Sequence, residues 1–147
     1  MRKFAIAALA GGLALACLGQ ASAEVLITAD ETKLPAPTSA PSRAVTRGPG
    51  VEQEAPSPDV RVSSPLPFKI KFQIRNNVAI DQSTVKLIYL KTPPVDLTDR
   101  IRKYITASGI EMNQAEVPPG VHFLRCDLKD MQGRMGTAFI KLTVADR

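Results

Sequence analysis

The last 30 residues of the chain contain two runs in which apolar and polar residues alternate. The runs cover residues 121–129 and 136–144, and they flank a short polar segment, Asp130–Arg134, that contains a glycine. The apolar sets are Leu124, Cys126 and Leu128 in the first run, and Ala138, Ile140, Leu142 and Val144 in the second. A period of two is that of a strand with one buried face, and Asp and Gly are turn residues. We therefore predict a β-hairpin.

Further strand patterns precede this hairpin. Residues 68–75 alternate strictly, with apolar side chains on one side and mostly basic ones on the other. The stretch Thr84–Leu90 is rich in β-forming residues, and Ile110–Met112 forms a brief strand pattern. Residues 96–108 fit either a helical turn capped by Thr98 or a strand. The sequence thus predicts an all-β domain over residues 62–147, which is long enough for one modest core.

Residues 1–23 have the features of a signal peptide. Arg2 and Lys3 precede an uncharged apolar run, Phe4–Leu18, and Ala21-Ser22-Ala23 fits a cleavage site. The run has about 15 residues, fewer than the roughly 20 that span a bilayer, which disfavours a membrane anchor. Lipid attachment at Cys17 is disfavoured because Ala14, three residues earlier, is not a large aliphatic residue. We expect cleavage after Ala23, export to the periplasm or the exterior, and no transmembrane segment afterwards.

Residues 24–61 have the composition of a linker. They contain six prolines and no extended helix or strand period, although the segment starts with Val25-Leu26-Ile27. Proline fixes φ and lacks an amide donor, so neither a helix nor a sheet forms readily. We predict a disordered Pro-rich segment that tethers the folded domain, with a proline-rich docking peptide as the alternative reading.

Cys126 and His122 are the obvious reactive residues, since cleavage removes Cys17 and His122 is the only histidine. In the predicted hairpin Cys126 lies opposite Ala138 and His122 opposite Leu142. Cys126 follows His122 by four positions, which on a strand places them about 13 Å apart, too far for a nucleophile–base pair. We expect Cys126 to be a small buried hydrophobe, with a redox or intermolecular-disulfide role as the alternative, and His122 to lie near solvent at a strand end.

Carboxylate pairs and soft ligands offer little further chemistry. Asp127 with Asp130, and Asp96 with Asp99, have the spacing of turn and cap residues. Ligands for copper would have to come from a scattered set: His122, Cys126, Met112, Met131 and Met135. We predict no catalytic residues, no metal site and no cofactor, and retain a small periplasmic copper carrier as the alternative function.

Six basic residues form a candidate face for an anionic partner. They are Lys69, Lys71 and Arg75 on one side of a strand, and Arg100, Arg102 and Lys103 nearby in sequence. Such a patch favours an acidic protein, glycan or lipid surface. Nucleic acid is disfavoured because the chain carries an export signal and this face has no interleaved aromatic residues. The alternative is a solvated strand face that discourages edge aggregation.

The C-terminal hairpin resembles the end of a bacterial immunoglobulin-like domain. The resemblance rests on Pro118–Asp130, on Gly133-Arg134 and on Ala138–Val144, which match a Pro-Gly turn, a penultimate strand, an Asp-x-x-Gly turn and a last strand. The Cys pair and core Trp of antibody domains are missing. The resemblance implies an antiparallel immunoglobulin-like β-sandwich and no particular activity. We expect a non-catalytic cell-envelope binding or structural module on a flexible tether, with a protein or an anionic envelope surface as its partner.

Overall fold

The fold is built from two β-sheets that pack face to face. The structure, a computed structural model, describes residues 22–39 and 47–146. Of the predicted signal peptide, only Ser22 and Ala23 fall within the described residues. The elements in chain order are β1 Glu24–Val25, α1 Ala29–Thr32, β2 Gly50–Ala55, β3 Arg61–Val62, β4 Leu66–Gln73, β5 Ile80–Tyr89, β6 Val95–Asp96, α2 Thr98–Ile101, a 3-10 helix Arg102–Tyr104, β7 Gly109–Glu116, β8 Gly120–Asp130 and β9 Met135–Val144.

The two sheets have different strand orders. Sheet A has four strands in the order β1-β7-β4-β2, and sheet B has five in the order β3-β9-β8-β5-β6. The pairs β1–β7 and β3–β9 are parallel, and the other pairs are antiparallel. Inward side chains of both sheets form one core that includes Phe68, Ile70 and Met112 from sheet A, and Leu87, Leu124, Ile140 and Leu142 from sheet B. The predicted all-β, two-sheet architecture is confirmed.

The predicted C-terminal hairpin is formed by β8 and β9. Cys126 lies opposite Ala138 and His122 opposite Leu142, as predicted. The turn is fixed by Asp130, whose Oδ1 accepts hydrogen bonds from the backbone N–H groups of Gln132 and Arg134. Gly133 has φ +78°, a value that favours glycine. Alternation and turn residues were therefore enough to predict both the hairpin and its register.

Strand β4 ends two residues earlier than the alternation predicts. It stops at Gln73, and the chain then turns at Asn76 and Asn77, both with positive φ. Ile74, which the pattern places with the core residues, is consequently 53% exposed. The prediction for Ile74 is wrong because the alternation continues past the last residue that pairs with a neighbouring strand.

The ambiguous stretch 96–108 starts with a helical turn, α2, and the 3-10 helix that follows it. Thr98 does not cap α2, because Leu97 occupies the N-cap position. Asp96 Oδ1 instead accepts the hydrogen bond of the Thr98 N–H at 2.9 Å, and the buried Thr98 hydroxyl accepts one from the backbone of Leu87. Thr98 therefore ties α2 to β5.

The structure corrects the expected extent of the Pro-rich segment. Residues 24–36, which we call the N-terminal strap, form β1 and α1 and pack against the domain. Leu26 and Ile27 are 0% and 1% exposed and belong to the core. Their burial acts together with the hydrogen bonds and ion pairs of the strap against the entropy of ordering it. Thr28 and Glu31 form a reciprocal capping box at α1. Residues 40–46 of the predicted linker lie outside the described residues.

The second half of the predicted linker also belongs to the sandwich. Strand β2 pairs with β4 in sheet A, and its Gln53 side chain reaches β9 in sheet B. There the Gln53 amide donates to the Lys141 carbonyl at 2.8 Å and accepts from the Lys141 N–H at 3.1 Å. The chain just before β2 passes so close to β9 that a Cβ on Gly136 would lie 2.1 Å from the Pro49 carbonyl oxygen. The sandwich therefore begins before residue 62.

Candidate functional site

The first part of the predicted basic face is the outer surface of β4. Lys69 forms an ion pair with Glu111 on β7, with Nζ and Oε1 3.3 Å apart. Lys71 lies directly opposite Glu52 on β2. Arg75 follows the end of β4 at the start of the Asn76-Asn77 turn. The outer surface of sheet A therefore carries charges of both signs.

The second part lies around α2 and faces the strap. Arg100 donates two hydrogen bonds to the Glu31 carboxylate and one to the Leu26 carbonyl. Lys103 pairs with Glu24, which also accepts a hydrogen bond from the Tyr104 hydroxyl. Arg102 pairs with Asp99 at 3.0 Å. These cations hold the N-terminal strap and the helical turn in place.

Four of the six basic residues are paired with acidic side chains. The pairs are Lys69 with Glu111, Arg100 with Glu31, Arg102 with Asp99 and Lys103 with Glu24. The acidic partners Glu24, Glu31 and Glu52 all come from the segment that the sequence predicts to be a tether. The basic face stays a prediction; it did not take account of these carboxylates, because it treated the domain as starting at residue 62.

Cys126 is a core residue, as predicted. It is 0% exposed, and burial raises the pKa of its thiol to about 12, with a smaller contribution from the neighbouring carboxylate of Asp127. The thiolate is the nucleophilic and metal-binding form of cysteine. A buried thiol with such a pKa has neither the charge nor the access for nucleophilic or redox chemistry.

His122 is buried rather than near solvent. It is 3% exposed at the start of β8, where its Nε2 donates to the Pro118 carbonyl at 2.7 Å and its Nδ1 accepts from the Tyr89 hydroxyl at 2.9 Å. The carbonyl can only accept, so this network requires the neutral Nε2–H tautomer. Burial lowers the pKa of His122 and raises that of Tyr89 to about 12. The expectation for His122 is wrong because its ring fills the corner between β7 and β8.

Of the pair Asp127 and Asp130, only Asp130 is a turn residue as expected, because Asp127 lies within β8 opposite Thr137. Asp127 accepts hydrogen bonds from Arg125 and Thr137 on the outer surface of sheet B. Burial alone would raise the pKa of Asp130, but hydrogen bonds from Arg134 and from the backbone of Gln132 hold it below its usual value. Both carboxylates are therefore committed to structural contacts.

The soft side chains of the copper alternative are dispersed by the fold. Met112 is buried in the core at 1% exposure, whereas Met131 and Met135 are 67% and 50% exposed beside the β8–β9 turn. Both ring nitrogens of His122 already have hydrogen-bond partners. Among the described residues, no group of three or more His, Cys, Asp or Glu side chains is arranged to hold a metal ion.

The outer surface of sheet B carries a cluster of apolar side chains that sequence reasoning missed. Phe123 and Val121 on β8 are 40% and 52% exposed. Half-buried Phe139 and Ile88 lie directly opposite Arg125 on the two neighbouring strands. Half-buried Leu90 joins them, since its N–H donates to the Phe123 carbonyl. We call this cluster the apolar face; it consists of Ile88, Leu90, Val121, Phe123 and Phe139.

The apolar face is unusual for an outer strand surface. An antiparallel sheet in a sandwich normally alternates between apolar inward and polar outward residues, as β4 does in sheet A. At the start of β8 both faces of the strand carry apolar residues. Val121 and Phe123 face outward, whereas Leu124 and Cys126 face the core. An apolar pattern on both faces of one strand is the sequence signal that could have identified the apolar face.

Comparisons with known proteins found no match for this chain among family models, curated proteins or solved structures. Within residues 22–39 and 47–146, none of the helices has the length and apolar character needed to cross a membrane.

Proposed function

We propose that the chain is a non-catalytic cell-envelope module of immunoglobulin-like type, exported by its signal peptide, which binds a protein partner through the apolar face. The observation that carries the proposal is the exposure of Phe123 and Val121 on the outer surface of sheet B. Contiguous exposed apolar clusters on a small protein mark interaction surfaces. The buried states of Cys126 and His122 favour binding over catalysis.

The strand order supports the immunoglobulin-like assignment. In such sandwiches strands A, B and E belong to one antiparallel sheet and strands C, F and G to the other. With β2 taken as strand A, β2, β4 and β7 share sheet A, and β5, β8 and β9 share sheet B. The hydrogen bond from His122 to the Pro118 carbonyl, four residues upstream, resembles the tyrosine corner at the equivalent turn of immunoglobulin-like domains, with histidine in place of tyrosine.

Retention of a partner from envelope extract tests the binding role. The immobilised wild-type chain should retain a partner that the Phe123→Ser/Phe139→Ser variant loses. Lys71→Ser/Gln73→Ser on sheet A is the matched control and should retain it, because those side chains lie on the opposite outer surface. Equal retention by all three chains would refute the apolar face as the binding site. Thermal unfolding of each variant checks that it is folded.

Export is tested separately. N-terminal sequencing of the chain purified from its natural cells should give Glu24 as the first residue. A start at Met1, or lipid on Cys17, would refute the processing that we propose without affecting the binding role.

A further inference from the structure

Arg125 lies at the centre of the apolar face. It is directly opposite Ile88 on β5 and Phe139 on β9, and Phe123 precedes it by two residues on the same side of β8. Cross-strand and diagonal neighbours of this kind are close enough to touch. Arg125 therefore has apolar neighbours at three positions of the sheet, and its guanidinium is directed toward Asp127.

The guanidinium of Arg125 is only partly used within the chain. Its Nε donates to Asp127 Oδ2 at 2.9 Å, and its side chain is 41% exposed. Its terminal Nη groups have no partner among the described residues. Arginine binds carboxylates through two parallel N–H groups, and water competes less well for that bond where neighbouring apolar surface excludes it. The Nη donors of the partly exposed Arg125 side chain are thus available beside the apolar cluster.

The rim of this surface carries charges of both signs. Lys86, Lys129 and Lys141 surround the cluster; Lys129 lies directly opposite Asp81 on β5, and Lys86 is close enough to Asp96 to help lower the pKa of that carboxyl. The carboxylate of Asp127 accepts hydrogen bonds from Arg125 and Thr137, and that of Asp96 accepts one from the N–H of Thr98. An open groove of about 540 Å³ runs beside the cluster and is lined by residues that include Lys86, Ile88, Arg125 and Asp127. The cations Lys86, Arg125, Lys129 and Lys141 thus outnumber the carboxylates Asp81, Asp96 and Asp127 by one, and the Nη groups of Arg125 are the donors left for a partner.

Building on the proposed function, we infer that the partner is a protein segment that places a carboxylate on Arg125 and apolar side chains on Phe123 and Phe139. Aromatic residues around a central arginine, with a charged rim, have the composition of an interface centre. A second copy of this chain fits less well, because pairing about the centre of the apolar face would bring two Arg125 guanidinium groups together. An anionic membrane also fits less well, because Phe139 and Ile88 are half-buried and the carboxylates of Asp81, Asp96 and Asp127 share this surface.

Selection from a random peptide library displayed on phage tests this inference directly. The full processed chain, immobilised and folded, should enrich peptides that combine Asp or Glu with aliphatic or aromatic residues. A synthetic peptide of the enriched sequence should bind Arg125→Gln and Phe123→Ser about tenfold more weakly than the wild type. Arg125→Lys should bind with intermediate affinity, because it keeps the charge but not the two-pronged donor. Lys71→Gln on sheet A should bind as the wild type does.

The other possible outcomes distinguish a failure of the inference from a failure of the proposed function. Peptides that lose binding in Phe123→Ser but carry no carboxylate would overturn the inference and leave the binding role standing. Enrichment that is independent of both Phe123 and Arg125 would overturn both. Cosedimentation with vesicles of phosphatidylcholine and phosphatidylglycerol that Phe123→Ser abolishes, without peptide enrichment, would assign the face to lipid. A dimer in light scattering that Phe123→Ser dissociates would assign it to a second copy.

Discussion

Arg100 donates two hydrogen bonds to the carboxylate of Glu31, from Nη1 to Oε2 at 2.8 Å and from Nη2 to Oε1 at 2.6 Å. Nη1 also donates to the carbonyl of Leu26 at 2.9 Å. The Arg100 guanidinium and the backbone of Thr28 together lower the pKa of Glu31 to about 2, against the opposing effect of burial. This pair ties the N-terminal strap to α2.

Replacing Arg100 with Gln should lower the free energy of unfolding by about 1–2 kcal/mol, since both side chains keep some contact with water. Denaturant unfolding of the wild type, Arg100→Gln, Glu31→Gln and the double variant measures the coupling. The double variant should be little worse than either single one. Strictly additive losses would show that the two side chains do not interact.

Leu26 should contribute to stability as a core residue does. Leu26→Ala should cost about 2–5 kcal/mol, because it leaves a cavity where a side chain is fully buried. Val25→Ala, at the adjacent position that is 45% exposed, is the matched control and should cost much less. If denaturant unfolding shows equal and small losses of unfolding free energy in Leu26→Ala and Val25→Ala, the original prediction of a tether would be supported instead.

His122 should make the domain less stable in mild acid. Burial lowers its folded-state pKa below the unfolded value of 6.5, so the unfolded chain binds the proton more tightly. The stabilisation from neutral His122 is complete above pH 6.5 and is lost as the pH falls from there toward the folded-state pKa. Glu31, with its lowered pKa, loses its stabilisation only below about pH 4.5.

The free energy of unfolding between pH 7 and 5 measures this effect, and His122→Gln provides the control. The wild-type value should fall across that interval, whereas the His122→Gln value should be lower at pH 7 and nearly constant. Parallel pH dependence in both chains would rule out His122 as the group responsible.

Cys126 should react with thiol reagents only through unfolding, because it is fully buried and burial raises its pKa to about 12. Labelling by a chromogenic disulfide reagent, in a Cys17→Ser background, should be slow in native buffer and fast in denaturant. The native rate should increase in Leu26→Ala, which populates open states more often. Fast labelling of the native wild type would mean that the thiol is accessible.

The hairpin and β4 were predictable because alternation and turn chemistry are local. The register of Cys126 and Ala138 follows from the turn length alone. The packing of the N-terminal strap and of β2 against the domain was not predictable in this way, because it depends on contacts with residues far along the chain. The apolar triplet at Val25 and the spacing of Thr28 and Glu31 are the only local signals of the strap, and six prolines in the same segment point the other way.

The acidic partners of the basic residues and the apolar face were missed for the same reason. Lys69 and Arg100 are basic in the sequence, but their nearest acids are supplied by strands and turns that are distant along the chain. Phe123 and Phe139 become neighbours only when β8 and β9 pair, and Ile88 only when β5 joins them. Charge can be counted from the sequence, whereas the surface on which it lies depends on the tertiary fold.

Photo-crosslinking in the cells that naturally make the chain tests the binding role of the apolar face most directly. A photoreactive phenylalanine at position 123 or 139 should crosslink to one common partner, and the same residue at position 73 on sheet A should not. Arg125→Gln should reduce the crosslink from position 139. Crosslinks of equal strength from positions 73 and 123, or none from 123 and 139, would contradict this binding role.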